Sequence, residues 1–313
     1  MVKVSVHIVT FNSAGDIAAC LDSLEKQTLR DFRVRIYDNA STDGTLDRIA
    51  GRAIDLIRSP INTGFSKAHN ELIRAFQADY VLVLNPDTIL QPDFIEEIVR
   101  HLDERPDAGS ASGKLLRMDK ITIDSTGIVM LRSQRHLDRG ADQPDLGQFD
   151  RPEDIFGPSG AAAMYRRTAL ENAAIAEEYF DEDFFAYRED ADLAWRLRLF
   201  GWKSIYVPTA MALHRRRVTP ERRSLLPSVI NYHSVKNRFL LRINNMTRGL
   251  YRRDFWPVTV RDISVVGYVL LREWRSIPAL FYPLRHFSRL WEKRRVIQSR
   301  IQIDELDLEQ WFH

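Results

Sequence analysis

The sequence predicts an α/β fold in which a mostly parallel sheet is flanked by helices and followed by a C-terminal helical extension. Three observations predict this fold. Apolar runs alternate with helical patterns from the start of the chain, as in parallel sheets covered on both faces. The composition is globular, with 44% hydrophobic and 28% charged residues among 313. The last third becomes basic and amphipathic, so we expect one large unit with an appendage, or two domains.

The first hundred residues alternate between strand and helix four times. The predicted strands are Val4–Thr10, Phe32–Asp38, Ile54–Ser59 and Tyr80–Leu84. The predicted helices are Ala14–Gln27, Thr45–Ala50, Phe65–Phe76 and Pro92–Leu102. Ligands of such sheets bind beyond the carboxyl ends of the strands. The residues at and just after each strand end are therefore the ones most informative about function.

The middle of the chain is less regular. Residues 131–156 are rich in Asp, Gly, Pro and Gln and have little periodicity, which predicts a loop that could close over a site. Glu189–Phe200 is predicted to be a helix that ends at Gly201. A final strand, Trp202–Pro208, is predicted next, and His214 follows it.

Cysteine content and hydropathy exclude several classes of protein. The single cysteine, Cys20, excludes an internal disulfide framework and argues against a structural zinc site. Met1–Phe11 is typical of a first strand rather than a secretion signal. The longest late apolar runs, Ile263–Leu271 and Ser276–Leu284, are far shorter than the roughly 18 residues that a spanning helix needs.

The net charge of +2 conceals a strong asymmetry. Residues 1–214 carry 25 Lys and Arg against 34 Asp and Glu, whereas residues 215–300 carry 20 against 5. Most of the basic residues are arginine, 37 of 45, which suits contact with phosphate. This split suggests an anionic partner for the C-terminal third, such as a membrane surface, a nucleic acid or a diphosphate. No nucleic-acid-binding motif is present, so we expect no nucleic acid partner.

Polar residues mark the ends of the first four strands. They are Thr10 and Asn12 at the first, Asp38 at the second, Asn62, Gly64 and Phe65 at the third, and Asn85 and Asp87 at the fourth. Asp38 could accept a hydrogen bond from the imide of uracil or thymine, or simply cap a turn. The helix that begins at Phe65 could present backbone amides to a nucleotide. Asp87 could hold a hard cation together with a diphosphate, or cap the following helix.

Two later positions are candidates for chemistry. Three acids, Glu189, Asp190 and Asp192, cluster at the start of a predicted helix. Asp192 is expected to complement the helix dipole. Asp190 is a candidate general base if the strand ends form one pocket. His214 precedes Arg215–Arg217, a setting suited to a metal ligand or a phosphate contact.

Taken in order, these motifs resemble the inverting family-two glycosyltransferases of the GT-A fold over about residues 3–217. The pieces that carry the resemblance are Val9-Thr10-Phe11-Asn12, Asp38 to Gly44, Asn62-Thr63-Gly64-Phe65 with Asn70, Leu84-Asn85-Pro86-Asp87, and Glu189 to Leu193 followed by Arg196 and Gly201. The Asn-Pro-Asp form is most similar to the rhamnosyltransferase branch, which uses dTDP-L-rhamnose. Asn85 stands where the usual Asp-x-Asp has its first acid. The Gln-x-x-Arg-Trp motif of processive synthases is missing, which implies addition of one sugar or a few.

The resemblance implies a role for each candidate residue. Thr10, Asn12 and Asp38 would line the base pocket, with Asn62, Gly64 and Phe65 along the nucleoside and Asn85 beside the donor. Asp87 and His214 would hold Mg²⁺ or Mn²⁺ on the diphosphate. Asp190 would take the proton of the acceptor hydroxyl. Gly157–Ala163 would form a small-residue floor where the two sugars meet.

The resemblance implies a catalytic domain over residues 1–217. Outside the resemblance, the charge excess and the amphipathic pattern predict a basic helical region over residues 218–313. The helical region could lie on an anionic membrane and present a glycan or polyprenyl-diphosphate-linked sugar acceptor. It could instead be a packing or oligomerisation element, which leaves a homo-oligomer open. The expected location is cytoplasmic and peripheral, on the inner face of the cell membrane.

Other functions compete with an L-rhamnosyltransferase. A transferase that uses another dTDP or UDP sugar would carry the same motifs. A nucleotidyltransferase would need a glycine-rich loop after the first strand, where this chain has Thr10-Phe11-Asn12-Ser13. No G-x-G-x-x-G or G-K-[ST] motif is present, which excludes dinucleotide and P-loop phosphate cradles. A non-catalytic nucleotide-sugar or glycan-binding subunit would not need Asp87, Asp190 and His214 together.

Overall fold

The computed structural model describes residues 2–216 and 227–313. The strands are β1 (Val2–Thr10), β2 (Phe32–Asn39), β3 (Ile54–Ser59), β4 (Ala78–Leu84), β5 (Thr88–Leu90), β6 (Ala108–Leu116), β7 (Ile123–Ser125), β8 (Ile128–Met130), β9 (His136–Asp138), β10 (Glu153–Ile155), β11 (Ala162–Arg166) and β12 (Lys203–His214). The helices are α1 (Ile17–Glu25), α2 (Thr45–Ile49), α3 (Phe65–Ala75), α4 (Phe94–Glu104), α5 (Arg167–Ala173), α6 (Glu189–Leu199), α7 (Ser228–Asn245), α8 (Arg248–Arg272), α9 (Ile277–Arg285), α10 (Phe287–Ser299) and α11 (Glu305–Glu309).

One large sheet organises the chain. Within the described residues its strand order is β10-β12-β6-β11-β4-β1-β2-β3, with β5 paired to β12 and β7 to β6. Strands β3, β2, β1 and β4 are parallel to one another. Strand β11 is inserted antiparallel between β4 and β6, and β6 and β12 are again parallel. The sheet is therefore mostly parallel, as predicted, and the carboxyl ends of β1, β2, β4 and β12 lie along one edge.

Alternate residues of the strands supply two separate hydrophobic cores, one on each face of the sheet. Leu82 and Met164 pack on the face covered by α1 and α4. Val83 and Tyr165 pack on the opposite face, with α5, α6 and the C-terminal helices. Successive side chains of a strand point to opposite faces, so strands buried on both sides must be apolar throughout. That requirement explains the apolar run Tyr80–Leu84 of β4.

The predicted alternation of strands and helices in the first hundred residues is confirmed, with small shifts of boundary. One expectation was wrong. The final strand, β12, runs to His214 instead of ending at Pro208, because an irregularity between Val207 and Met211 lets it continue alongside β6 and pair with β5. The segment 131–156 is mostly irregular, as predicted, but it also contains the short strands β9 and β10, and Lys114 forms an ion pair with Asp145 of this segment at 3.0 Å.

The C-terminal helices pack on the sheet domain and share its core. Leu240 and Leu241 of α7 are buried with Trp195 of α6 in one cluster. The predicted boundary between residues 217 and 218 lies outside the described residues, and the division into two domains stays a prediction. In the described ranges, no helix is long and apolar enough to cross a membrane.

Candidate active site

The ends of β1 and β2 form a tight polar corner around Asp38. Thr10 Oγ1 donates a hydrogen bond of 2.8 Å to Asp38 Oδ1, and the Ser41 amide donates to Asp38 Oδ2 at 3.0 Å. Asn12 sits nearby with φ 53°, and its Oδ1 accepts from the Thr42 amide at 2.9 Å. Thr10 and Asp38 are buried, whereas Asn12 is exposed. Thr10 therefore orients the carboxylate, while Asn12 faces the outside of the corner.

The end of β3 and the start of α3 are fixed by a close contact with a later loop. The amides of Phe65 and Ser66 donate to the Phe185 carbonyl at 2.6 and 3.1 Å. The expectation that these amides are directed at a nucleotide is therefore wrong for these two groups. Asn62 Oδ1 accepts from the Gly64 amide at 2.9 Å and closes the turn. The Phe65 ring packs inward beside the core, against Phe180.

Asp87 and His214 are brought together at the carboxyl ends of β4 and β12. His214 Nε2 lies 3.3 Å from Asp87 Oδ1, and His214 Nδ1 lies 2.7 Å from Asp124 Oδ2. Burial alone would lower the pKa of His214, but hydrogen bonds to Asp124 and Asp87 raise it to about 9. Asp124 fixes the ring so that Nε2 faces Asp87, the same support that metal-binding histidines receive from carboxylates. Asn85 lies two residues before Asp87, and its backbone amide donates a hydrogen bond to the Ala161 carbonyl at 2.9 Å.

Asp124 is the centre of an ion-pair network that sequence reasoning missed. It is fully buried, and its Oδ1 forms ion pairs with Arg117 Nε at 2.9 Å and with Arg216 Nε at 3.3 Å. Arg216 also pairs with Asp138 of β9. Asp124 is 90 residues from His214 in sequence and lies in the three-residue strand β7, so no local pattern identifies it. The third member of the predicted Arg215–Arg217 run, Arg217, lies outside the described residues.

Asp190 is held at the start of α6 by two backbone amides. Its Oδ2 accepts from Gly160 at 3.0 Å and its Oδ1 from Ala191 at 2.8 Å. A Cβ on Gly160 would lie 3.3 Å from Asp190 Oδ2, so any larger residue there would press on the carboxylate. Burial raises the pKa of Asp190 above its ordinary value; the Gly160 amide opposes that shift and the nearby Asp138 adds to it. A raised pKa makes a carboxylate a stronger base.

Glu189, next to Asp190, is a second carboxyl group with a raised pKa. Burial, followed by the charge of Asp190, raises the pKa of Glu189 above its ordinary value. Two adjacent carboxylates cannot both ionise cheaply in a buried setting. Ionisation of Asp190 is favoured over that of Glu189 because Asp190 is partly exposed to solvent, whereas Glu189 is buried.

The backbone that precedes Asp190 has strained dihedral angles and is held in place by neighbouring elements. Phe185, Tyr187 and Arg188 all have positive φ values, 66°, 73° and 73°. Asn237 of α7 donates its side-chain amide to the carbonyls of Ala186 and Tyr187 at 2.8 and 2.6 Å. Non-glycine residues in the left-handed region persist only when their surroundings over-determine them, often at functional sites. Here α3 and α7 supply that constraint.

Two residues of the sequence motifs, Asp192 and Asn70, stabilise the fold around the candidate site. Asp192 was expected only to complement the helix dipole, but it is fully buried and bonds Arg196 at 3.0 Å and Asn245 at 2.7 Å. It thereby joins α6 to α7. Asn70 accepts from the Phe180 amide at 2.9 Å and donates to the Phe180 carbonyl at 2.8 Å. Asn70 therefore holds the segment that precedes α6.

The residues that could hold a metal are few. In the part of the chain that the structure describes, no group of three or more His, Cys, Asp or Glu side chains is arranged around a metal position. Asp87 and His214 offer one carboxylate and one imidazole, a donor set that suits Mg²⁺ or Mn²⁺ only when a ligand adds further oxygens. A diphosphate is such a ligand.

The fold is shared with solved glycosyltransferases. It is similar to GalNAc-T7 with UDP, GalNAc and Mn²⁺, at 12% identity and a TM-score of 0.61, over 80% of this chain and 50% of the other. It is also similar to the mannosyltransferase PcManGT of Pyrobaculum calidifontis in complex with GDP-Man and Mn²⁺, at 15% identity and a TM-score of 0.56, over 96% and 86% of the chains. The sheet and its strand-end site thus define the GT-A class of fold.

Sequence comparison identifies the family. The description Glycosyl transferase family 2 matches residues 5–173, more than half of the chain. The N-acetylglucosaminyl-diphospho-decaprenol L-rhamnosyltransferase of Mycobacterium tuberculosis is 31% identical over 240 residues, which span 67% of this chain and 75% of the relative. The chain therefore belongs to glycosyl transferase family 2 and is a glycosyltransferase.

Proposed function

We propose that this enzyme transfers L-rhamnose from dTDP-L-rhamnose to a hydroxyl of a lipid-linked saccharide, with inversion at the anomeric carbon. The observation that carries the proposal is the placement of two sites on one edge of the sheet. Asp190 is fixed by Gly160. The Asp87–His214 pair is fixed by Asp124, and Arg216 connects Asp124 to Asp138 beside Asp190. The mycobacterial relative, named for rhamnosyl transfer to a diphospho-decaprenol acceptor, supports the choice of donor and acceptor.

The proposed nucleotide site lies at the ends of β1 to β4. Asp38, held by Thr10, accepts the imide N–H of thymine, and Asn12 lies at the rim of the base pocket. Asn62, Gly64 and Phe65 shape the wall along the nucleoside, and Asn85 lies beside the diphosphate.

Transfer requires a base and a stabilised leaving group. Asp190 accepts the proton of the acceptor hydroxyl while the oxygen forms a bond to the anomeric carbon. The bond from that carbon to the phosphate oxygen breaks, and nucleoside diphosphate leaves with the electron pair. Asp87 and His214 would hold Mg²⁺ or Mn²⁺, which neutralises charge on the departing diphosphate. Attack opposite the leaving group inverts the configuration.

A donor panel tests this proposal directly. Purified enzyme, Mn²⁺ and a short-chain N-acetylglucosaminyl-diphospho-lipid are supplied with dTDP-L-rhamnose, UDP-glucose, UDP-N-acetylglucosamine or GDP-mannose, and nucleoside diphosphate release is measured. We expect dTDP-L-rhamnose to be used at least about tenfold faster than the others, since each 1.4 kcal/mol of discrimination gives a factor of ten. Preference for a UDP sugar would show that the donor is not dTDP-L-rhamnose. The assignment of the chain to glycosyl transferase family 2 would still hold.

Metal removal should stop the reaction. We expect excess chelator to abolish nucleoside diphosphate release and Mn²⁺ or Mg²⁺ to restore it. Asp87→Ala should weaken the metal-dependent part of dTDP binding by about tenfold or more, because one charged ligand is lost. Calorimetric titration of dTDP with and without metal measures this difference. Full activity in chelator would assign leaving-group stabilisation to His214 and Arg215 instead.

The C-terminal helices expose an unusual amount of apolar surface beside positive charge. We define the C-terminal apolar surface by ten exposed side chains of α8, α9, α10 and the turn between α8 and α9, which are Trp256, Val260, Ile263, Leu270, Leu271, Trp274, Phe281, Leu284, Phe287 and Trp291. Leu271 is 82% exposed and Trp256 72%. Exposed arginines, among them Arg272, Arg275 and Arg285, are interleaved with these residues. We propose that this surface docks on the anionic cytoplasmic face of the cell membrane, where both kinds of side chain find a partner.

Liposome flotation tests the docking. We expect binding to phosphatidylglycerol-rich vesicles, much weaker binding to neutral vesicles, and partial release at high salt. Each arginine near an anionic surface contributes about 1 kcal/mol that salt screens. The double variant Leu271→Ser with Trp274→Ser should weaken binding at every salt concentration, whereas Leu56→Ser, an exposed apolar residue of β3, should not. Equal binding to neutral and anionic vesicles would show that electrostatic attraction does not contribute to docking. Absence of flotation would favour a second protein subunit as the partner.

A further inference from the structure

One face of α7 contacts residues 183–188, the segment that leads into α6 and Asp190. His233 and Asn237 are four residues apart, a spacing that places both side chains on the same side of a helix. The His233 ring stacks on the Phe185 ring, with 4.6 Å between their centroids. Asn237 is fully buried. The segment before α6 is therefore held by a helix that comes after the last strand of the sheet.

The side chain of Asn237 donates hydrogen bonds to three backbone carbonyls of this segment. Its Nδ2 lies 2.9 Å from the Phe184 carbonyl oxygen, 2.8 Å from that of Ala186 and 2.6 Å from that of Tyr187. A side-chain amide has two N–H groups, so the three carbonyls share them. All three partners are acceptors, and only a donor satisfies them. An aspartate or a leucine at this position would leave the carbonyls facing an acceptor or an apolar group.

The carbonyls of residues 184–187 are all held by groups outside the segment. Asn237 holds three of them, and the Phe185 carbonyl accepts the first amides of α3. Phe185, Tyr187 and Arg188 have φ values of 66°, 73° and 73°. Such a backbone persists in residues other than glycine only where the surroundings over-determine it. The contacts from α7 and α3 therefore maintain a conformation that the segment would not favour by itself.

The segment transmits this constraint to the first turn of α6. The Arg188 carbonyl accepts a hydrogen bond from the Asp192 amide at 2.9 Å, and Asp190 lies within that turn. Asp190 Oδ2 accepts from the amide of Gly160, just before β11, at 3.0 Å. The position of the carboxylate relative to the sheet thus depends on where α6 begins. A shift of residues 184–188 would move the proposed base away from the edge where the donor is proposed to bind.

We propose that Asn237 is a positioning residue for sugar transfer. By holding the carbonyls of residues 184, 186 and 187, it keeps the first turn of α6 where the Asp190 carboxylate can receive the proton of the acceptor hydroxyl. This inference rests on the proposed role of Asp190 as the base. It gives α7, which lies after the predicted catalytic domain, a part in the reaction that does not depend on membrane docking.

The first test compares Asn237→Leu with Asn245→Leu. Asn245 is a matched control because it is also fully buried in α7, but it donates to Asp192 at 2.7 Å and to the Leu241 carbonyl at 3.0 Å. Both variants should lower the free energy of unfolding in urea and keep the affinity for the nucleoside diphosphate of the preferred donor. Only Asn237→Leu should lower kcat, by roughly 10- to 100-fold, since a misplacement of about 1 Å can cost about that much. Asn237→Ala, which leaves space for a water molecule, replaces the leucine variant if that variant does not bind nucleotide.

A double-mutant cycle with Asp190→Asn distinguishes positioning of the base from a general structural effect. Residues that act as a unit have strongly non-additive effects on kcat. We therefore expect Asn237→Leu to lower kcat little further in the Asp190→Asn background. A residue that only stabilises the fold would lower kcat by the same factor in both backgrounds. Single-turnover transfer is measured with whichever donor the panel identifies, so the result does not depend on the identity of the sugar.

The outcomes separate this inference from the proposed function. Wild-type kcat in Asn237→Leu, equal losses of kcat in Asn237→Leu and Asn245→Leu, or multiplicative effects in the cycle would overturn the inference and leave Asp190 as the base. A higher KM for the donor with unchanged kcat would overturn it too, because the contact would then serve nucleotide binding. If Asp190→Asn alone keeps more than about a tenth of the wild-type turnover, the assignment of the base fails, and the role of Asn237 fails with it.

Discussion

Replacement of Asp190 by asparagine is expected to lower kcat by about 10² to 10⁴, the usual contribution of a general base. The amide keeps the shape of the side chain, and its Oδ1 still accepts a hydrogen bond, but it takes up no proton. The affinity for dTDP and Mn²⁺ should change little, because the side-chain contacts of Asp190 are with Gly160 and Ala191, apart from the residues proposed to hold the nucleotide and the metal. Single-turnover transfer and calorimetric dTDP binding, measured on the same preparation, separate the two effects.

The pH dependence of activity tests the role of Asp190 independently. The base must be ionised to act, so activity is lost as the pH falls through its pKa. Because burial raises the pKa of Asp190, the acid limb of kcat/KM should lie above the ordinary aspartate value of about 3.9. Asp87→Ala should weaken metal-dependent binding without moving this limb. Retention of more than a tenth of the wild-type turnover by Asp190→Asn would show that another group takes the proton.

The parallel part of the sheet could be predicted from sequence because its strands are apolar runs with polar residues at their ends. Ile54–Ser59 was predicted with the bounds that the structure gives. Strand β6, Ala108–Leu116, was missed because it consists largely of Ala, Gly and Ser, yet every residue in it is buried. A Cβ on Gly113 would lie 2.2 Å from the Ala210 carbonyl, so close approach between strands, which hydropathy does not report, selects these small residues.

The candidate site was predictable only in part. The pairing of Asp87 with His214 follows from a resemblance that places both at strand ends, and the structure brings them to 3.3 Å. Asp124, which orients His214, comes from a short strand with no distinctive pattern. Asn237, which holds the carbonyls of Ala186 and Tyr187 before Asp190, was not predicted either, because packing between elements distant in sequence brings it there. The sequence pattern therefore identifies functional residues that follow the strands directly. Residues that act through tertiary contacts can be identified only from the folded structure.

Substitution of Gly64 by alanine is expected to destabilise the protein by several kcal/mol and to reduce transfer. Gly64 has φ 86°, and a Cβ there would lie 2.5 Å from the Phe185 ring and 2.6 Å from the Phe185 carbonyl. The combination of φ 86° with ψ 173° is adopted almost only by glycine and alone costs another residue about 1–3 kcal/mol. Overpacking against Phe185 adds about 1–3 kcal/mol. Phe185 has little freedom to move, because its carbonyl accepts the first amides of α3 and its ring stacks on His233 at 4.6 Å.

Gly51→Ala is the matched control, because Gly51 has φ 77° but a Cβ there would meet no atom within 4 Å. Urea unfolding of both variants separates the cost of a positive φ, which both positions have, from the Phe185 contact, which only Gly64→Ala disturbs. Gly51→Ala should lose only the backbone part of the free energy of unfolding and keep wild-type kcat. Gly64→Ala should lose more and also transfer more slowly, because displacement of Phe185 moves the pinned segment that leads through Arg188 to Asp190. Equal losses in both variants would mean that the α3–Phe185 contact does not position the base.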